Sequence, residues 1–196
     1  MKVLINRILE YQIKNRSILE HEKDIYIYAY TILVEECINI AIAIVIGLFF
    51  RQLNLVVCFL CAYIPLRQFS GGYHAEHWKT CRAISTLIIV FLCIFFYMNI
   101  KNSMYDNTYI ILIFSQLCIF ILSPVDSVNK RLNDREKMEY HKITMRILIV
   151  QILILIFGIW TKMRFLYIGI IYSHIVLSLM LIIGLYKNCE VRRKIE

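Results

Sequence analysis

Residues 165–186 read FLYIGIIYSHIVLSLMLIIGLY, 22 consecutive positions without one Asp, Glu, Lys or Arg. An α-helix needs about 20 such residues to cross the hydrocarbon core of a bilayer. The same signal recurs upstream. Residues 83–100 give 18 charge-free positions and 107–125 give 19. Residues 52–66 and 147–161 give 15 each, and 25–50 run for 26 with only Glu35 and Glu36 breaking them. Composition agrees: 60% of the 196 residues are hydrophobic, 18% are charged and mean hydropathy is +0.65. Soluble domains sit near 45–50% apolar, so the excess excludes a soluble globule and a disordered chain. The predicted fold is an all-α polytopic membrane protein with about six transmembrane helices, forming one domain over residues 1–196.

The net charge of +8 raises the question of nucleic acid, but its placement answers otherwise. Of the 22 Lys and Arg residues, 18 fall in the N-terminal stretch, the second and fourth connections and the tail. The remaining four are Arg51, Lys101, Lys162 and Arg164, in the alternate connections. Basic loops stay cytoplasmic, which predicts cytoplasmic termini and a cytoplasmic position for the connections near 67–82 and 126–146. Anionic lipid headgroups are the partner this basic side implies, and no nucleic acid is expected. The alternation also supports both 15-residue windows, because dropping one alone would scramble it.

No cleavable signal peptide is visible at the N-terminus. Residues 1–24 instead predict an amphipathic interfacial helix, with Leu4, Ile8, Tyr11 and Ile18 at helical spacing among Lys2, Arg7, Lys14 and Arg16. Glu35 and Glu36 either place acids inside the first span, where such groups are functional candidates, or mark the end of a shorter span. His174, in the middle of the last window, is expected to hydrogen-bond within the bundle.

Five of the seven cysteines lie in hydrophobic windows, where a thiol acts as a small apolar residue. Cys58 and Cys61 have redox-motif spacing without the βαβ context that motif needs, and Cys189 is a tail thiol. Cys81 differs. It stands in a polar segment between Lys79 and Arg82, two cations that favour a thiolate.

That segment, residues 67–82, is the predicted catalytic loop. It contains Arg67, the pair Gly71-Gly72, His74, His77 and Cys81. Two adjacent glycines permit backbone of positive φ and close chain approach, so the helix should break there, before the histidines. Non-helical backbone at membrane depth requires burial in protein or a wet cavity, which predicts a pocket. A cysteine with an imidazole nearby can attack a carbonyl while the histidine takes the thiol proton. Helical spacing favours His77, at i and i+4 with Cys81, because His74 lies about 10 Å of helical rise away. A metal site of His74, His77 and Cys81 lacks an evident fourth ligand, so no metal or cofactor is expected. Glu76 and His77 also read as solvated side chains.

The pattern Arg67…Gly71-Gly72-x-His74-x6-Cys81 resembles the signature of the accessory gene regulator protein B family (AgrB), membrane-embedded cysteine peptidases of Gram-positive quorum sensing. Residues 123–130, Ser-Pro-Val-Asp-Ser-Val-Asn-Lys, resemble that family's Pro-containing segment after the fourth span. The resemblance implies His74, not His77, as the catalytic partner of Cys81, so the backbone between 74 and 81 should not form one straight helix. It also implies an AgrD-like amphipathic propeptide as substrate, its cyclisation to a thiolactone or lactone, and a homodimer. Arg67, Gly71 and Gly72 are then candidates for binding a substrate carboxylate or stabilising an oxyanion, and Asp126 and Asn129 for orienting the histidine. A small transporter or exporter fits the hydropathy equally well. Against it, the spans carry few ionisable residues to line a path and no inverted repeat is apparent.

Overall fold

A computed structural model describes residues 2–15, 18–73, 78–102, 108–126 and 132–193. Within them lie seven α-helices: α1 (Lys2–Lys14), α2 (Lys23–Phe49), α3 (Leu53–Ser70), α4 (Trp78–Asn102), α5 (Thr108–Leu122), α6 (Asp134–Trp160) and α7 (Arg164–Arg193). One 3-10 turn precedes α2 at Glu20–Glu22, and no strand occurs among the described residues. α2, α3, α4, α6 and α7 are long and apolar enough to cross a membrane, and α5 is a shorter apolar helix. The six predicted windows thus each fall on one helix. α2 runs unbroken through Glu35 and Glu36; Glu35 is buried and Glu36 exposed.

The chain divides into two compact units within α2, residues 1–42 and residues 43–196. In the first, Ile5, Leu9 and Ile18 are buried together with the partly buried Ile13, Tyr26, Ile27 and Tyr30. Gln12 Nε2 donates to the Tyr30 hydroxyl at 2.8 Å. The N-terminal helix is therefore amphipathic, and shorter than expected. The helix ends at Lys14 rather than running to residue 24. Its packed face carries Ile5 and Leu9, while Ile8 and Tyr11 are exposed.

In the second unit α7 is the central helix. It packs against α3, α4, α5 and α6, and 61% of its apolar window is buried, against 17–33% for the other four long helices. Phe59, Leu55 and Val56 of α3 meet Leu92 and Cys93 of α4 and Val176 of α7 in one core cluster. A second cluster joins Leu66, Ile119, Val125, Leu148, Leu177 and Leu181. The outward faces remain apolar: Ile113, Phe114 and Ile121 of α5 and Leu153 of α6 are all more than 60% exposed. Such faces are stable where lipid replaces water, because the backbone of each helix satisfies itself internally.

One chain of polar contacts inside the bundle links α7, α6 and α3. His174 is fully buried, and its Nε2 lies 2.8 Å from Gln151 Oε1. Gln151 Nε2 donates to the Ala62 carbonyl at 2.8 Å. Pro65 removes a backbone donor from this stretch of α3, and Gln151 supplies one to the neighbouring turn. The expected hydrogen-bonded role of His174 is what the structure shows.

Candidate active site

The predicted 67–82 segment is built from two helix ends and a short crossing between them. Arg67, Gln68, Phe69 and Ser70 form the last turn of α3, and Trp78 to Arg82 lie in α4. The loop proper is therefore narrower than expected. Gly71 (φ 70°, ψ −144°) and Gly72 (φ 111°) end α3 in backbone that side-chain-bearing residues rarely adopt. Space reinforces conformation here. A Cβ on Gly71 would lie 2.1 Å from the Val125 carbonyl oxygen, and one on Gly72 would lie 3.0 Å from the Met180 carbonyl oxygen. The helix breaks before the histidines, as the double glycine predicts.

The segment after α5 meets this break. Val125 N–H donates to the Ser70 carbonyl at 2.9 Å, and Gly72 N–H donates to the Val125 carbonyl at 3.4 Å, giving a single parallel bridge between Gly71 and Val125. Tyr73 N–H donates to the Met180 carbonyl of α7 at 2.8 Å. The chain can approach α7 this closely because Gly184 faces it: a Cβ there would lie 2.6 Å from Tyr73 N and 2.7 Å from the Gly72 carbonyl carbon. Lys187 Nζ stands 5.2 Å from the Tyr73 ring centroid, within cation–π range.

Arg67 closes the loop on itself. Its two terminal nitrogens donate to the carbonyls of Gly71 and Tyr73, a use of the planar guanidinium fork that an ammonium cannot reproduce. The Gly71 amide donates to the Arg67 carbonyl at 3.2 Å and the Gly72 amide to the Val125 carbonyl. Arg67 serves as an internal clamp on the loop, because two peptide carbonyls already occupy its fork.

The segment carrying Val125 is itself held from three sides. His141 Nδ1, on α6, lies 2.8 Å from the Ser123 carbonyl. Asn188 Nδ2, on α7, donates to the Asp126 carbonyl at 2.6 Å. Lys137 Nζ lies 3.3 Å from Asp126 Oδ2, while Asp126 Oδ1 is buried without a hydrogen-bond partner among the described residues. Helix α6 can present Lys137 and His141 here because it starts thirteen residues ahead of its apolar window. Asn133 caps it by accepting from Asp134 N–H at 2.7 Å, and Glu136 accepts the Asn133 N–H at 2.9 Å.

Cys81 is half-buried and outside any disulfide, in the first described turn of α4. Cys81 is the fourth residue of α4 as described, Trp78–Asn102, and so lies near its N-terminus. Helix N-termini favour anions. His74 and Asn129 lie outside the described residues, as do Glu76 and His77. The structure thus brings Arg67, Gly71, Gly72 and Asp126 into one assembly and places Cys81 on the helix that follows it. Sequence reasoning missed His141, Asn188 and Gly184. Gly184, one of two glycines in an otherwise bulky span, was the one detectable signal among them.

The chain is similar in sequence to known proteins. The family profile for Accessory gene regulator B matches residues 5–185. A protein of Clostridium perfringens strain SM101, named AgrB-like, is 29% identical over 147 residues, covering 70% of this chain and 67% of its own. A second protein named AgrB-like, from strain 13 of that species, is 26% identical over 166 residues, covering 79% and 76%. No solved structure matches.

Proposed function

The chain belongs to the Accessory gene regulator B family, and from that premise we propose that it is a membrane-embedded cysteine endopeptidase acting on an AgrD-type propeptide. Membership gives it a role in maturing an agr-type autoinducing peptide and makes such a propeptide its partner. The finer reading rests on one observation: Cys81 stands near the N-terminus of α4, directly after a loop whose backbone is clamped in place up to Tyr73, the residue before His74.

In this reading His74 accepts the Cys81 thiol proton and the thiolate sulfur attacks the scissile carbonyl carbon. The tetrahedral intermediate collapses, the C–N bond breaks, and His74 returns the proton to the leaving amine. The N-terminal part of the propeptide remains as a thioester on Cys81. A thiol or hydroxyl of the same peptide then attacks that thioester, closes the ring and releases Cys81 as a thiol. For a substrate thiol the step exchanges one thioester for another, so water must be excluded to keep the acyl bond from hydrolysis.

Asp126 fits an orienting role for the histidine through its buried, unpartnered Oδ1; Asn129 is the other residue in that reading. The basic connections assign the active end to the cytoplasmic face of the cell membrane, against anionic lipid. A homodimer belongs to the same reading by family resemblance.

The test is cleavage of an amphipathic propeptide with a central Cys or Ser by the full chain in liposomes. Cys81→Ala and His74→Ala should abolish cleavage, and His77→Ala should retain it. Normal cleavage by Cys81→Ala would sink the assignment, and transport of the peptide without cleavage by the wild-type chain would favour an exporter.

A further inference from the structure

We propose that His141 and Asn188 are positioning residues for this chemistry, acting through residues 123–126; the inference rests on the peptidase reading above. These four residues form a strap between α5 and the α6 region, and the contacts along it run in series. The carbonyls at its two ends are held by side chains from two different helices, Ser123 by His141 of α6 and Asp126 by Asn188 of α7. Its middle residue, Val125, carries both backbone bonds to the break in α3, one to Ser70 and one from Gly72. The break ends at Tyr73, whose amide is tied to Met180 and whose carbonyl is tied to Arg67. The next residue in the chain is His74.

The chemistry of each contact fixes what can replace it. A carbonyl only accepts, so His141 must carry its proton on Nδ1 to bond Ser123. Phe120 stands edge-on to the His141 ring at a centroid distance of 6.0 Å, which limits how the ring can turn. Asparagine places an N–H near the position of histidine Nδ1, so His141→Asn keeps the donor, while His141→Leu removes it at similar volume. Asn188→Asp keeps the shape of the side chain and turns a carboxylate oxygen toward the Asp126 carbonyl. Neither residue is placed to touch substrate. Their effect should reach Cys81 only through the loop, and misplacing a catalytic group by about 1 Å can cost on the order of 10²-fold in rate.

Two readouts on the full chain in liposomes separate positioning from simple loss of fold. The first is the rate of Cys81 alkylation by iodoacetamide, followed on the Cys81-containing peptide by mass spectrometry and normalised to folded protein. The second is the split of propeptide cleavage into kcat and KM. His141→Leu and Asn188→Asp should slow alkylation and lower kcat by about tenfold or more, with KM within about twofold of wild type, and His141→Asn should restore most of both. Wild-type alkylation and kcat in both His141→Leu and Asn188→Asp would overturn the proposal. So would a loss wholly explained by a smaller folded fraction, or a His141→Asn variant as defective as His141→Leu. His74→Ala and Cys81→Ala are run alongside. If either cleaves normally, the peptidase reading itself has failed; if both are inactive while the strap variants are normal, the positioning inference alone has failed.

Discussion

Gly184→Ala separates two physical arguments that point in opposite directions. Gly184 is interior to α7, where replacing glycine by alanine should favour the helix by about 1 kcal/mol. The geometry opposes this. The new methyl would lie 2.6 Å from Tyr73 N, 2.7 Å from the Gly72 carbonyl carbon and 3.0 Å from Gly72 Cα. All three are backbone atoms, so no side-chain rotation relieves the contact. Restoring ordinary contact, at about 3.4 Å or more, requires the Gly72–Tyr73 chain to withdraw by about 0.8 Å, at the expense of its hydrogen bond to Met180. Overpacking of this kind costs about 1–3 kcal/mol, much of it offset by the helix term, so the melting temperature should change little. Activity should not be spared. A displacement approaching 1 Å immediately before His74 should reduce kcat by about 30- to 100-fold, equivalent to about 2–2.7 kcal/mol of transition-state stabilisation. The assay is propeptide cleavage in liposomes, with folded protein counted by a melting curve. Gly158→Ala is the control, because its Cβ would first meet the flexible Leu166 side chain, at 3.2 Å. A Gly184→Ala protein that cleaves at the wild-type rate would refute the claim that loop position governs the chemistry.

Three further outcomes follow from the same structure. Arg67→Lys keeps the charge but loses the fork that spans the Gly71 and Tyr73 carbonyls; cleavage should fall by about tenfold or more, measured as kcat at saturating propeptide. Gln151→Leu leaves the buried His174 Nε2 and the Ala62 carbonyl without their partner, and should lower stability by about 1–2 kcal/mol in a detergent melt while leaving Cys81 alkylation unchanged. A membrane-impermeant maleimide should label Cys189 in inverted vesicles but not in right-side-out ones, since the basic connections assign that end to the cytoplasm.

The fold was legible because hydrophobic length and basic-residue placement are properties of segments. Each charge-free window became one helix, and the 15-residue windows proved as real as the long ones. Helix ends were less legible. Helix α6 starts at its Asn133 cap rather than at its apolar window, and α1 buries Ile5 and Leu9 rather than the neighbouring Ile8. Those choices depend on capping and on the partner surface, neither of which appears in a periodicity. In the site, Gly71 and Gly72 announced a break, and the break is there. Spacing could not show that their amides donate to the Arg67 and Val125 carbonyls. His141 and Asn188 were invisible for the same reason. Each reaches a carbonyl 18 or 62 positions away in the chain, and no local pattern encodes such a pairing.

The central claim is that the Cys81 sulfur carries the acyl group of the propeptide. Mass spectrometry of the full chain in liposomes, quenched in acid after brief exposure to a propeptide whose ring-closing Cys or Ser is replaced by Ala, measures this directly. The expected result is a mass increase equal to the N-terminal part of the propeptide, located on Cys81 and absent in His74→Ala. Efficient cleavage with no adduct on Cys81, or an adduct on another residue, would contradict it.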